Sequence, residues 1–397
     1  MLLIDKKYYG TAFGLMLCCV GSASAQSTSS VTLYGIFDDG VAYINHQAPT
    51  AASASHAVVK SVSQVMSGNR WGLRGTEDLG SGLSAIFTLE NGFDGQTGAA
   101  LQGGRMFGRQ AFVGLSSTQW GTVTLGRQYD AILDNVSTMA GWTQLGTSYG
   151  AHVGDNDNMF NTWRENNSIK FRSIDYSGFS AEGTYAFSND PGQFANNRAY
   201  SLGAQYLHGP FKLAVAYLHL DSPSSGQTGG TNPNGAVGGE YGTGPGSIFY
   251  ANFVNSQSVL TVGSEYKNGP GAYHLLYSNT RLDYQDHTRL VLNNFEANVV
   301  YQVWPSVTLL GAYIYTTGSG EGGMSLGTFA KGNHPQWHQF ELGASYALSA
   351  RTDVYAASVY QLAAGDAQIA ALNLQGGVSG ANHRSVLLTV AGIRHRF

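Results

Sequence analysis

Both cysteines of this chain, Cys18 and Cys19, fall within the first 25 residues. Residues 26–397 therefore offer neither a disulfide nor a thiolate metal site. Charge is scarce too: 12% of residues are charged, where a soluble domain carries about 25%. The net charge of −4 excludes a broad nucleic-acid-binding surface. Beyond residue 25 no apolar run reaches the roughly 20 residues of a membrane-spanning helix. Helical periodicity is missing as well. There is no P-loop, no dinucleotide fingerprint and no Ser-His-Asp constellation in a supporting context. These gaps point away from an enzyme and from any bound cofactor.

What is plentiful is glycine (53) and tyrosine, whose 23 copies outnumber the 21 lysines and arginines together. Residues 1–25 read as an export signal: Lys6 and Lys7, then apolar Thr11–Val20, then Ala23-Ser24-Ala25. Residues 26–397 show no composition shift and read as one domain.

Period-two alternation dominates that domain. Leu83, Ala85, Phe87 and Leu89 oppose Ser84, Thr88 and Glu90. Leu260, Val262 and Tyr266 oppose Thr261, Gly263, Glu265 and Lys267, and Phe295, Ala297, Val299 and Tyr301 oppose Glu296 and Asn298. Three segments are variants of one strand: 202–206, 262–266 and 342–346. They end on Tyr206, Tyr266 and Tyr346, each just before a short turn, and Tyr301 repeats the arrangement. An aromatic girdle at a membrane interface requires tyrosines so placed.

Short turns are expected near 79–82, 117–121, 175–178, 207–210, 268–271, 303–306 and 348–351. Long loops are expected near 45–68, 94–104, 129–165, 188–198, 221–257, 281–293, 316–336 and 362–383. Fifteen connections join sixteen strands, and short turns on one side with long loops on the other is the outer-membrane barrel arrangement. The expected fold is all-β: a 16-stranded antiparallel transmembrane β-barrel. The final strand, ending on Phe397, closes it by pairing with Val31–Ile44. So wide a barrel leaves an aqueous lumen. By parity Arg70, Arg74 and Arg109 face inward, Trp71 and Leu73 outward, and Asp39 and Gln110 fall on the outer parity.

Five segments resemble the general trimeric porins of Gram-negative bacteria, in particular their β-proteobacterial branch. They are Ser30–Asp38, Asn69–Gly80, Gly108–Leu115, Gly121–Tyr129 and Gly392–Phe397. The resemblance implies an outer-membrane homotrimer, bedded in lipid and lipopolysaccharide, that passes small hydrophilic solutes and ions. It also implies a third loop, 129–165, folded into the lumen to constrict the pore, with loop acids facing a basic wall. Arg70, Arg74 and Arg109 match the basic positions, and Arg164 resembles a further one. Glu90 resembles an inward acid near the constriction. In the loop Asp134 is the first acidic candidate, then Asp130, with Asp155 and Asp157 later in the same segment. Ile36 stands where enteric porins often carry lysine, and their Pro-Glu-Phe-Gly loop motif is missing. A bland reading stays open: the arginines pair with Glu77, Asp78 or Glu90 as structural bridges.

Two other classes are compatible with a barrel. A lipid-hydrolysing barrel needs a Ser-His pair on its outer face, and a structural barrel needs a plugged lumen. His334 and His338 read as surface loop histidines. Asp155-Asn156-Asp157-Asn158 reads as a hydrogen-bonded loop, with a hard cation as the alternative.

Overall fold

The computed structural model describes residues 29–48, 53–227, 229–242, 249, 254–321, 331–373 and 382–397. The expected export signal, residues 1–25, lies outside them.

Alternating sequences form a single antiparallel sheet closed on itself. Its first six segments are β1 (Ser30–Gln47), β2 (His56–Ser63), β3 (Arg70–Gly80), β4 (Leu83–Gly92), β5 (Gln110–Ser117) and β6 (Gly121–Gln128). A one-turn helix α1 (Ala131–Asn135) follows within the long connection to β7 (Glu165–Ser173). Then come β8 (Phe179–Ala186), β9 (Arg198–His208), β10 (Phe211–Asp221), β11 (Val254–Asn268) and β12 (Gly271–Tyr284). The last are β13 (Arg289–Trp304), β14 (Val307–Glu321), β15 (Pro335–Ala347), β16 (Thr352–Gly365) and β17 (Ser385–Arg396).

These seventeen segments make sixteen wall strands. β1 pairs with β3 along Ser30–Ile36 and with β2 along Asp39–Gln47, so β2 and β3 are two halves of one strand. Asp38 fills the break between them. Its carboxylate accepts from the amides of Met66 (2.7 Å) and Ser67 (2.6 Å) and from the Tyr355 hydroxyl (2.5 Å).

Closure is as the sequence implied: β1 pairs with β17 from Ile36↔Arg396 to Ile44↔Leu388. The backbone of Phe397 exchanges hydrogen bonds with Gly35.

The burial pattern is that of a globular strand turned inside out. On β15, Phe340 and Leu342 are 50% and 67% exposed, while Gln339 and Glu341 are buried. An apolar outer face with polar side chains inside is stable only where lipid surrounds the sheet. Tyr206, Tyr266, Tyr301 and Tyr346 all stand exposed at the ends of their strands. The Gly-Pro turns after β9 and β11 place Gly209 and Gly269 at the same φ of +55°, which a side chain rarely adopts.

All seven short turns fall where expected, but three loops differ. The first is shorter than 45–68, because β2 already runs from His56. The connection expected over 281–293 is a tight turn between Tyr284 and Arg289. Arg281, Asp283, Arg289 and Glu321 pair along the continuing strands. The connection at 221–257, whose glycines, serines and prolines suit a solvated loop, is packed in its described part: Ala236, Val237 and Tyr241 are fully buried. Two orientations change as well. His338 belongs to β15 and hydrogen-bonds the Tyr313 hydroxyl at 2.7 Å, so it is not a loop histidine. Gln110 stands in register with inward-facing Glu90, so it does not point outward.

Candidate pore constriction

The connection from β6 to β7 does not rise away from the barrel. The Ala131 amide donates to Ser201 on β9 (3.1 Å), and Gln257 on β11 donates to the Asn156 carbonyl (2.9 Å). Asn298 on β13 reaches the Met139 carbonyl (2.9 Å), and Gln339 on β15 the Gly150 carbonyl (2.7 Å). All four wall side chains are buried on the lumen face. Ser148 then hydrogen-bonds Val65, in the break between β2 and β3. The loop thus lies inside the barrel, against the wall opposite β3–β5. Trp163 and Met159 are fully buried and anchor it, and half-exposed Trp142 packs edge-on to Phe160 at 5.0 Å.

On the facing wall the expected basic residues come together around two tyrosines. Arg109 bonds Glu90 at 2.6 Å. The other Glu90 contacts are the hydroxyls of Tyr34 (2.9 Å) and Tyr129 (3.0 Å). The guanidinium carbons of Arg109 and Arg164 each lie 5.9 Å from the Tyr129 ring centre. Arg74 lies over Tyr34 at 5.4 Å. Arg70 turns its Nε to the Gly68 carbonyl. Arg109 shares strand parity with outward Val113. It enters the lumen because it sits just before β5 starts, where the chain has not yet joined the ladder.

The acids are arranged differently from the expectation of a free acidic face. Glu90 lies within the basic cluster and forms an ion pair with Arg109. Asp78 caps its own turn at Gly80 (2.8 Å). Asp134 is partly open but bound to Lys170 of β7 at 2.5 Å. Asp130, Asp155 and Asp157 are buried and do not line the passage. Asp130 caps α1 through the amides of Ile132 and Leu133. Asp155 accepts from the Phe160 and Thr162 amides and the Thr162 hydroxyl. Burial and then the neighbouring Asp157 push its pKa up to about 7. Asp157 contacts His152 (2.6 Å) and the Ser278 hydroxyl (2.5 Å). The Asp155–Asn158 run is thus a hydrogen-bonded loop, with its oxygens committed to protein groups.

Sequence reasoning passed over Tyr34, Tyr129, Lys60 and Lys170. Lys170 was accessible by parity, since Ile169 and Phe171 flank it on the outer face. Lys60 shares the inner face of β2 with Val58 and Val62. Among the described residues Lys60, Arg70 and Arg74 have no carboxylate at ion-pair distance.

Known proteins share this architecture. The Gram-negative porin family matches residues 12–364. An outer membrane porin protein of Bordetella pertussis is 35% identical over 243 residues, covering 55% of this chain and 62% of that protein. This chain thus spans under two thirds of that relative. Outer membrane porin protein 32 of Delftia acidovorans is 30% identical over 393 residues, 96% of this chain and 97% of that protein. Among solved structures, an anion-selective porin from Comamonas acidovorans superposes with a TM-score of 0.70 at 24% identity, covering 93% of this chain and all of that one. On the family match and the near full-length Delftia relative, the chain belongs to the Gram-negative porins of the outer membrane.

Proposed function

We propose that the barrel is a passive diffusion channel for small hydrophilic solutes and ions, and that it favours anions. The observation that carries this reading is the pairing of charges at the narrow level. Glu90, Asp134 and Asp157 each hold a basic partner, and Glu165 and Glu341, which have none, are buried away from the passage. Arg70, Arg74 and Lys60 face the lumen with no carboxylate at ion-pair distance among the described residues, Arg70 standing in the outer field of Glu90. Water in a narrow passage screens fixed charge poorly, so unpaired cations there set the sign of the field. The Comamonas neighbour is itself described as anion-selective, in keeping with this reading. The intraluminal loop, with Asp134 at its open edge, sets the width. The reversal potential of a reconstituted channel under a salt gradient tests the proposal. An anion-favouring sign is expected, and a cation-favouring sign would refute it.

We further infer a homotrimer joined through the outer face of β1–β5, surrounded elsewhere by lipid and lipopolysaccharide. That face carries aliphatic Val31, Leu33, Val41, Val59 and Val113, all exposed. The tyrosine-ended strands lie on the other side of the barrel. Asp39, on the outer parity, is held by Asn69 (3.1 Å) and by Gln96 (2.6 Å) of the second loop.

A further inference from the structure

The part of the loop farthest from its ends lies on an acidic wall. Glu341 of β15 stands opposite Ala312 of β14, and Glu296 of β13 opposite Ile314, the next inward residue of β14; both acids are buried. The loop backbone presses directly on them. The Gly141 amide donates to Glu296 (2.5 Å). A Cβ on Gly146 would collide with the Glu341 carboxylate, and one on Gly150 would crowd it. One Glu341 oxygen, Oε2, has no hydrogen-bond partner. Asp157, a third buried acid, approaches from the loop itself.

One cation stands among them. His152, 3% exposed, directs Nδ1 at Asp157 (2.6 Å) and Nε2 at Glu296 (3.0 Å). An ionised carboxylate can only accept, so both contacts are hydrogen bonds only when both ring nitrogens carry protons. We propose that His152, as an imidazolium, is the positioning residue that pins the intraluminal loop to the wall, so that loss of its charge loosens the constriction. This rests on the channel reading above and extends it to what holds the filter in place.

The groups facing the ring are Asp157 and, behind it, Asp155 from the loop, Glu296 from β13 and Glu341 from β15. Ser278 of β12 reaches Asp157 from the other side. No lysine or arginine among the described residues pairs with these acids. Burial lowers the affinity of the ring for its proton, but Asp157 and Glu296 outweigh burial and hold its pKa well above the usual histidine value. A group whose pKa is raised on folding stabilises the fold at low pH, and that contribution is lost as pH rises through the folded value. The pin therefore holds through acid and neutral pH and is released in alkali. Once the ring is neutral, Asp157 and Glu296 are left facing across the seam between loop and wall with no cation between them.

The test is the voltage at which the reconstituted full-length channel closes, and its open-channel noise, across neutral and alkaline pH. Wild type should show a step above the ordinary histidine range, with closure at lower voltage and several-fold more noise. His152→Gln should behave at neutral pH as wild type does in alkali. His152→Arg keeps the charge and two donors, and should abolish the step. A change near pH 7 from Asp155 would be common to wild type and His152→Arg. Glu296→Gln, which preserves shape, should move the step to lower pH and serves where the His152 variants fold poorly. A channel that conducts with no alkaline step, or whose step survives His152→Arg or ignores Glu296→Gln, overturns the proposal while leaving the diffusion channel intact. Absence of conductance would sink the channel reading, and this one with it.

Discussion

At the scale of single residues, the arginines of the wall are not equivalent. Arg109 is buried against Glu90, and a buried pair broken on one side typically costs about 3–5 kcal/mol. Arg74 is exposed and rests only on a tyrosine ring. Arg74→Gln should therefore weaken anion preference with the barrel as stable as before, whereas Arg109→Gln should both weaken it and lower the unfolding temperature. Glu90→Gln should strengthen anion preference by freeing Arg109. Reversal potentials paired with thermal unfolding would separate these effects, and equal destabilisation by Arg74→Gln and Arg109→Gln would contradict the distinction. Parity made Arg70, Arg74 and Glu90 legible in the sequence, because a strand offers only two directions. It could not assign Asp155 or Asp157, because a loop without regular period gives no rule for which side chains turn to the protein and which to water.

At the scale of elements, the strands were legible and the inner loop was not. The sequence read each strand from its own alternation. The loop takes its shape from partners more than 100 residues away, such as Asn298 and Gln339. Its entry is set by Asp130, which caps α1 through Oδ1 and receives Asn158 Nδ2 at 2.6 Å on Oδ2. Asp130→Ala should cost about 1 kcal/mol in the cap and raise hydrogen exchange at the Ile132 and Leu133 amides. Burial pushes the pKa of Asp130 up to about 6, above the ordinary aspartate value. Its contribution is complete at low pH and declines as pH rises through about 6. Asp130→Asn should retain the cap and remove that dependence. Protection factors at these amides in wild type that do not vary between acid and neutral pH would contradict the assignment.

At the scale of the whole molecule, stability depends on joining the two ends of the chain. A sheet of this width left open would expose two long edges within lipid, where unpaired N–H and C=O groups have no water to bond. The seam is completed at one point by Gly35 and Phe397. Their backbones exchange two hydrogen bonds, at 3.0 and 3.1 Å, and the Phe397 ring occupies the space where a Gly35 side chain would stand. Gly35 is extended, so its role is space and not a special turn. Gly35→Val should displace the ring, open the last rung between β1 and β17, and reduce the yield of compact, heat-modifiable barrel on an unheated gel. Gly311→Ala provides the control for glycine loss as such, because Gly311 has an ordinary φ and no atom lies within 4 Å of its would-be Cβ. Removal of Phe397 should match Gly35→Val, since either change deletes the same contact. The trimer should be lost in both, because β1 contributes to the closing seam and to the aliphatic face inferred to join subunits. If Gly35→Val folded and assembled at wild-type yield, closure would depend on the rungs from Ile36 onward, and the terminal aromatic would have no part in holding the barrel shut.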